Sequence, residues 1–102
     1  VPAPTAACPS CRAPLTADEI LDAGTLALPD APLLTLRCPR CEGDAWARLG
    51  EGAIELGAAP DDAARFAPTA TAPAPGLSVR PAATWLDCWH AGRYRRFPAR
   101  PG

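Results

Sequence analysis

Lysine, asparagine, glutamine and methionine are missing from this 102-residue chain, and all ten basic residues are arginine. Coding bias in a GC-rich genome, bacterial by expectation, explains that pattern more simply than an arginine-specific role. Large apolar residues are scarce as well. Leu, Ile, Val and Phe total 17, below the roughly 20% at which a packed core becomes doubtful. Alanine supplies much of the 48% hydrophobic content, and with 14 prolines besides, a large continuous core is excluded. The net charge of −1 does not indicate disorder. No apolar stretch approaches the roughly 18 residues that cross a bilayer, so no membrane segment is expected. The opening run from Val1 to Cys8 has neither a basic region nor an apolar one, so no secretory signal is expected there. A phosphate-cradling glycine loop, paired catalytic carboxylates and a Ser-His constellation are all missing, so the chain does not read as an enzyme.

What the chain does have is five cysteines, four of them in two matched pairs. Cys8-Pro9-Ser10-Cys11 and Cys38-Pro39-Arg40-Cys41 both read Cys-Pro-x-Cys, with 26 residues between Cys11 and Cys38. One Cys-x-x-Cys is ambiguous, because a redox pair has the same form. Two of them, with proline in the same place, match the four thiolates that Zn²⁺ takes in a closed tetrahedral site. Cys8, Cys11, Cys38 and Cys41 are therefore the candidate ligands, and two disulfides or four free thiols are the alternatives. A metal would also offset the small core, since a structural zinc supplies about 10 kcal/mol or more of apparent folding free energy in small peptides.

This pattern resembles a zinc ribbon, in which two knuckles on β-turns clamp one metal between short antiparallel strands. The resemblance covers about residues 6–57 and is specific for the site but nearly silent on function. Ribbons of this kind serve transcription and translation factors, polymerase subunits, electron carriers and protein-interaction modules. The chain departs from the family at one point. The family's knuckle often ends in glycine, which tolerates positive φ; here Arg12 and Glu42 follow the second cysteines, and Gly43 comes one place late.

Local signals place these features in a small, mostly-β fold. Thr16-Ala-Asp-Glu19 has the form of a capping box, followed by a short helix over 17–23 between the knuckles and a stop at Gly24. Leu33–Arg37 reads as a strand running into the second knuckle. Residues 45–49 and 53–57 flank Gly50-Glu51-Gly52 as a hairpin. Residues 58–76 are rich in alanine and proline and read as a semi-extended linker, with one helical turn from Pro60 through Phe66. The expected organisation is a zinc ribbon over 1–57, the linker over 58–76 and a basic, aromatic tail over 77–102.

Charge is uneven along that organisation. Residues 42–76 carry six acidic residues against Arg48 and Arg65, while 77–102 carry five arginines against Asp87 alone. The asymmetry marks either a partner surface or two regions that lie against each other.

The tail holds four of the six aromatics. Thr84–His90 and Arg93–Phe97 surround Ala91-Gly92 and read as a C-terminal β-hairpin, with a turn of two or three residues. Alternation puts Trp85, Asp87 and Trp89 on one face and Leu86, Cys88 and His90 on the other. Three readings compete: a completed β core, a docking surface for a protein, or a nucleic-acid surface. For docking, the anchors would be Trp85, Trp89, Arg93, Tyr94, Arg95 and Arg96. A pI near 5.7 and the lack of lysine count against nucleic acid. Cys88 reads as a buried structural thiol and His90 as a surface residue beside the turn.

The sequence thus points to a non-catalytic zinc-ribbon protein that binds a partner or serves as a structural subunit of a larger assembly. An odd cysteine count with four in metal spacing suits a reducing compartment, with the cytoplasm as default. The alternatives are a nucleic-acid-associated ribbon and a rubredoxin-like electron carrier holding iron in the same four thiolates.

Overall fold

A computed structural model of the chain describes residues 5–28, 32–62 and 65–98. Arg100, one of the five arginines counted in the tail, lies outside them. The described residues form a small, mostly-β protein of ten strands and one short helix, all pairing antiparallel.

In chain order the elements are β1 (Thr5–Ala7), β2 (Pro14–Thr16), α1 (Ala17–Ala23), β3 (Thr25–Leu28) and β4 (Leu33–Arg37). Then come β5 (Asp44–Gly50), β6 (Ala53–Ala58), β7 (Ala70–Pro73), β8 (Ser78–Pro81), β9 (Trp85–His90) and β10 (Arg93–Pro98). Strands β3 to β7 form a five-stranded meander, β1 and β2 pair alone, and β8, β9 and β10 form a three-stranded sheet.

The alternation in β5 shows why the meander has a buried side. Ala45, Ala47 and Leu49 are buried, whereas Trp46 and Arg48 lie on the opposite face. Across the sheet Ala47 sits between Leu34 and Leu56, so a small residue is flanked by two large ones. Each fully buried leucine stabilises the fold by about 1.5–3 kcal/mol relative to exposure. Ala6 and Leu15 of the β1–β2 hairpin, Ile20 and Leu21 of α1, and Leu86, Cys88 and Phe97 of the third sheet join the same cluster. One core therefore draws on residues from both ends of the chain.

Helix α1 begins as the sequence indicates. Thr16 Oγ1 accepts from the Glu19 amide at 3.2 Å, and the Thr16 amide donates to Glu19 Oε1 at 3.1 Å. A seven-residue helix is marginal alone. It holds because Ala17, Ile20 and Leu21, spaced for one helical face, are buried.

The stretch read as a linker is a correction. Residues 70–73 form β7, which pairs with β6 and touches β1. Residues 66–68 pass so close over β6 that a Cβ on Gly57 would meet the Ala67 carbonyl oxygen at 2.7 Å. Glycine alone leaves room for that crossing. Within the stretch expected to make one helical turn the Arg65 amide donates to the Asp62 carbonyl at 2.8 Å, the bond of a 3₁₀ turn; residues 63–64 are outside the described set. Among the described residues, no helix is long and apolar enough to cross a membrane.

The C-terminal hairpin has a two-residue turn, with Arg93 opposite His90. Ala91 at φ 52° and Gly92 at φ 76° are both left-handed, as the turn favoured between twisted strands requires.

Candidate metal centre and C-terminal surface

Each Cys-Pro-x-Cys turn joins two antiparallel strands, β1 to β2 and β4 to β5. The turns are built alike. The Cys8 amide donates to the Ala13 carbonyl at 3.0 Å and the Arg12 amide returns to the Cys8 carbonyl at 2.9 Å. Thirty residues on, Cys38 donates to Gly43 and Glu42 donates to Cys38, both at 2.9 Å. The repeat reaches into the strands: Ala6 faces Leu15 in one hairpin, and Leu36 faces Ala45 in the other. All four are buried, with the large and small members exchanged.

The departure from glycine is visible in the backbone. Arg12 has φ 63° and Glu42 has φ 60°, so both side chains occupy the left-handed region that glycine would enter without cost. Both turns close regardless.

The two turns bring four sulfurs together. Cys8 Sγ is 3.8 Å from Cys41 Sγ, Cys11 Sγ is 3.7 Å from Cys38 Sγ, and all four lie within 4.8 Å of one another. A disulfide needs about 2.05 Å, and all five cysteines are free. A tetrahedral ion with metal–sulfur bonds of about 2.3 Å sets its sulfurs about 3.8 Å apart. The cluster therefore fits a four-thiolate metal, and Cys8, Cys11, Cys38 and Cys41 converge as the sequence indicates. Cys8 and Cys38 are buried and Cys11 and Cys41 exposed, which places the cluster at the rim of the core.

Backbone amides prepare these sulfurs for negative charge. Ser10 and Arg40 donate to Cys8 and Cys38 Sγ at 3.4 and 3.3 Å, and Gly43 donates to Cys41 Sγ at 3.4 Å. Burial pushes the Cys8 pKa up, but the Cys11 and Ser10 amides and the neighbouring thiols outweigh it and bring it down to about 6. Cys41 moves the other way. The Gly43 amide lowers it, but burial and three adjacent thiols raise it to about 11. Four thiolates at this spacing cannot all be charged without a cation among them.

Around the cluster, Glu19 Oε2 lies 3.6 Å from Arg40 Nη2, linking the helix cap to the second turn. Arg40 is 57% exposed and Glu19 35%, so solvent screens the pair and it contributes little. A Cβ on Gly43 would meet Ser10 Oγ at 3.1 Å, which marks where the two turns abut.

The structure divides the six residues expected to bind a partner. Trp85, Trp89, Tyr94 and Arg96 share the outer face of the three-stranded sheet, while Arg93 and Arg95 alternate to the other side. Trp89 is 39% exposed and Tyr94 50%, with ring centroids 5.5 Å apart. Arg96 lies over the Trp85 ring at 4.8 Å. Asp87 is the hub that the sequence reading missed. It accepts from Tyr94 Oη at 2.5 Å, Trp85 Nε1 at 3.1 Å and Arg96 Nε at 3.2 Å. The Tyr94 hydroxyl, then Trp85 and Arg96, hold its carboxyl below the usual carboxylate range against a smaller opposing effect of burial. Being the sole acid on its strand, between two tryptophans in alternation, was the signal available.

Arg95 turns inward to α1. Its Nη2 is 3.0 Å from Asp22 Oδ1 and 3.6 Å from Asp18 Oδ1, and His90 Nδ1 is 3.2 Å from the same Asp18 oxygen. One expectation is corrected here. His90 is not a surface residue, since its side chain is only 12% exposed. The basic tail pairs with the acids of α1 and with its own Asp87. Cys88 is buried, and burial raises its pKa against the opposing charge of Arg95.

Scans against protein-family models, curated proteins and solved structures give no match to this chain.

Proposed function

We propose that this is a zinc-ribbon protein that acts without catalysis, as a protein-binding or structural subunit of a larger assembly. The observation that carries the reading is the convergence of four sulfurs from two matched turns, 3.8 Å for Cys8–Cys41, 3.7 Å for Cys11–Cys38 and within 4.8 Å throughout. Four protein thiolates fill a tetrahedral shell and leave no position for substrate, as in structural zinc sites. Zinc bound there would tie β1–β2 to β4–β5, and these two hairpins supply much of the core. Binding to a partner is supported by Trp89 and Tyr94, whose exposed rings, in tilted contact, are the residue types that anchor interfaces. Cytoplasmic residence belongs to the same proposal, since free thiols suit a reducing compartment.

The test is purification of the native protein with its companions, followed by elemental analysis. One zinc per chain and a companion lost on Trp89→Ala, with zinc retained, is the expected outcome. Iron with visible absorption would favour the electron carrier instead. A tight, salt-sensitive complex with DNA or RNA that depends on Arg93, Arg95 and Arg96 would favour the nucleic-acid ribbon.

A further inference from the structure

Strand β9 is the middle strand of the three-stranded sheet and pairs on both sides, with β8 and with β10. A ligand lying over β9 on the outer face therefore meets side chains and not free backbone groups. The register sets those side chains in rows across the strands. Ser78, Trp89 and Tyr94 make one row, and Arg80, Asp87 and Arg96 the next.

The two rows hold more free donors than free acceptors. Asp87 already accepts from Tyr94, Trp85 and Arg96. Tyr94 Oη in turn accepts from Arg96 Nε at 3.0 Å. Among the described residues, the Trp89 indole N–H and the Arg80 guanidinium have no hydrogen-bond partner, and both side chains are exposed. Ser78 adds one hydroxyl, which donates as well as accepts.

Charge has the same bias. Arg80 and Arg96 stand on either side of Asp87 in the register. Only Arg96 pairs with it, at 3.2 Å. That pair cancels, and Arg80 is left as the unanswered charge of the two rows.

A ligand suited to this face brings apolar surface, acceptors and a negative charge, with few donors of its own. An ordinary extended peptide carries an N–H with each carbonyl, and a sugar carries a donor with each hydroxyl oxygen. Covered on this face, most of those donors would lack an acceptor, at a cost in affinity. Proline is the residue whose backbone offers a carbonyl without an N–H.

We propose that this face binds a proline-rich, acid-flanked segment of a partner protein in the polyproline II conformation. Its prolines lie on Trp89 and Tyr94, whose rings are inclined at 41° with centroids 5.5 Å apart, and the Trp89 N–H donates to a proline carbonyl. Such a segment is extended before it binds, so little conformational entropy is lost. Arg80 is the diagonal neighbour of Trp89 across the strands, a separation of about 7–8 Å. Polyproline II advances about 3.1 Å per residue, so a Glu or Asp about two or three residues from the docked prolines reaches Arg80. The inference rests on the docking role proposed above for Trp89 and Tyr94 and adds the chemistry of what docks.

The experiment is titration of the ¹⁵N-labelled, metal-loaded chain with acetyl-Glu-Pro-Pro-Pro-Pro-Pro-Glu-amide, read at the amide and indole N–H resonances. Saturable shifts at the Trp89 indole and at residues 78–80, 89 and 94 are expected, weakened about tenfold or more by Trp89→Ala. The same peptide with alanine for proline keeps its charge but regains the N–H groups, and its affinity should fall by about tenfold or more. Arg80→Glu should reverse the charge preference, so that a Lys-flanked proline peptide binds it better than the Glu-flanked one. The proposal is overturned by a lack of saturable shifts, by equal binding of the alanine peptide, or by an Arg80→Glu chain that still prefers Glu. It is equally overturned if single-stranded oligouridylate binds the same resonances more tightly, which would assign the face to nucleic acid. A native companion captured through Trp89 while the peptide fails to bind would overturn this chemistry and leave the docking role standing. Capture indifferent to Trp89 would overturn the docking role itself.

Discussion

Cys8 Sγ and Cys41 Sγ lie 3.8 Å apart although they stand 33 positions apart in the chain. That closeness joins the N-terminal hairpin to the meander at one point, and it makes the four sulfurs a single chemical unit. Cys88, buried beneath the other sheet, does not belong to the cluster.

Metal content should follow that division. Cys38→Ser removes a buried sulfur of the cluster and should abolish binding of the single expected zinc, with loss of folded β-structure. A strong chelator should do the same to the unaltered chain, because binding and folding are coupled in closed thiolate sites. Cys88→Ala should keep full metal content. Elemental analysis beside circular dichroism reads all three, and halved zinc in Cys88→Ala would break the ligand assignment.

The left-handed residues of the two turns give a prediction with the opposite sign. Arg12 and Glu42 hold φ near 60° with exposed side chains, at about 1–2 kcal/mol each for an L-residue. Glycine removes that cost but adds about 0.5–1 kcal/mol of unfolded-state entropy. Arg12→Gly and Glu42→Gly should each stabilise the metal-loaded protein by up to about 1.5 kcal/mol. Denaturant melts check it, and a loss of stability would show that these side chains hold something in place.

Acid should act locally on the C-terminal sheet. The Asp87 carboxyl is depressed first by the Tyr94 hydroxyl, then by Trp85 and Arg96. A depressed folded pKa stabilises above the unfolded value of about 3.9, and that contribution is lost as pH falls through the folded value. Trp85 donates to the same carboxylate, so its fluorescence should report the change. Wild type should show a step below about pH 3.9 that Asp87→Asn lacks. Any step from metal release would appear in both proteins.

How much of this was readable in advance depended on how local each signal was. The capping box at Thr16 and Glu19, the strand at 33–37 and the hairpin around Gly50–Gly52 are set by neighbours in sequence, and each forms where expected. The four cysteines carried their own spacing. Short strands in proline-rich surroundings carried nothing comparable. Pro73 closes β7, Pro81 closes β8, Pro98 closes β10 and Pro14 opens β2. Each of these is an edge strand or one of a lone pair, where a missing N–H leaves the ladder intact. Repeated proline therefore read as linker when it marked edges. Asp18 and Asp22 stood one turn apart on a predicted helix, but nothing in the sequence could tell that Arg95 and His90, more than 70 residues on, would meet them.

The two faces of the C-terminal sheet should separate stability from association. Leu86 is fully buried with Cys88 and Phe97 in the common core. Leu86→Ala should therefore cost about 2–5 kcal/mol and lower the melting temperature of the isolated chain. Trp89 stands on the opposite face, 39% exposed and in tilted ring contact with Tyr94. Such a ring pair contributes about 0.5–1.5 kcal/mol, so Trp89→Ala should melt close to wild type and keep its metal. If the face docks a partner, the same substitution should weaken that complex by about 2 kcal/mol or more, near thirtyfold, as truncated interface anchors do. Thermal melts of the free chain beside capture of the native companion measure both effects. A Trp89→Ala chain that unfolds would move this face from docking surface to structural support. One that melts normally and still captures every companion would leave the exposed rings with neither role.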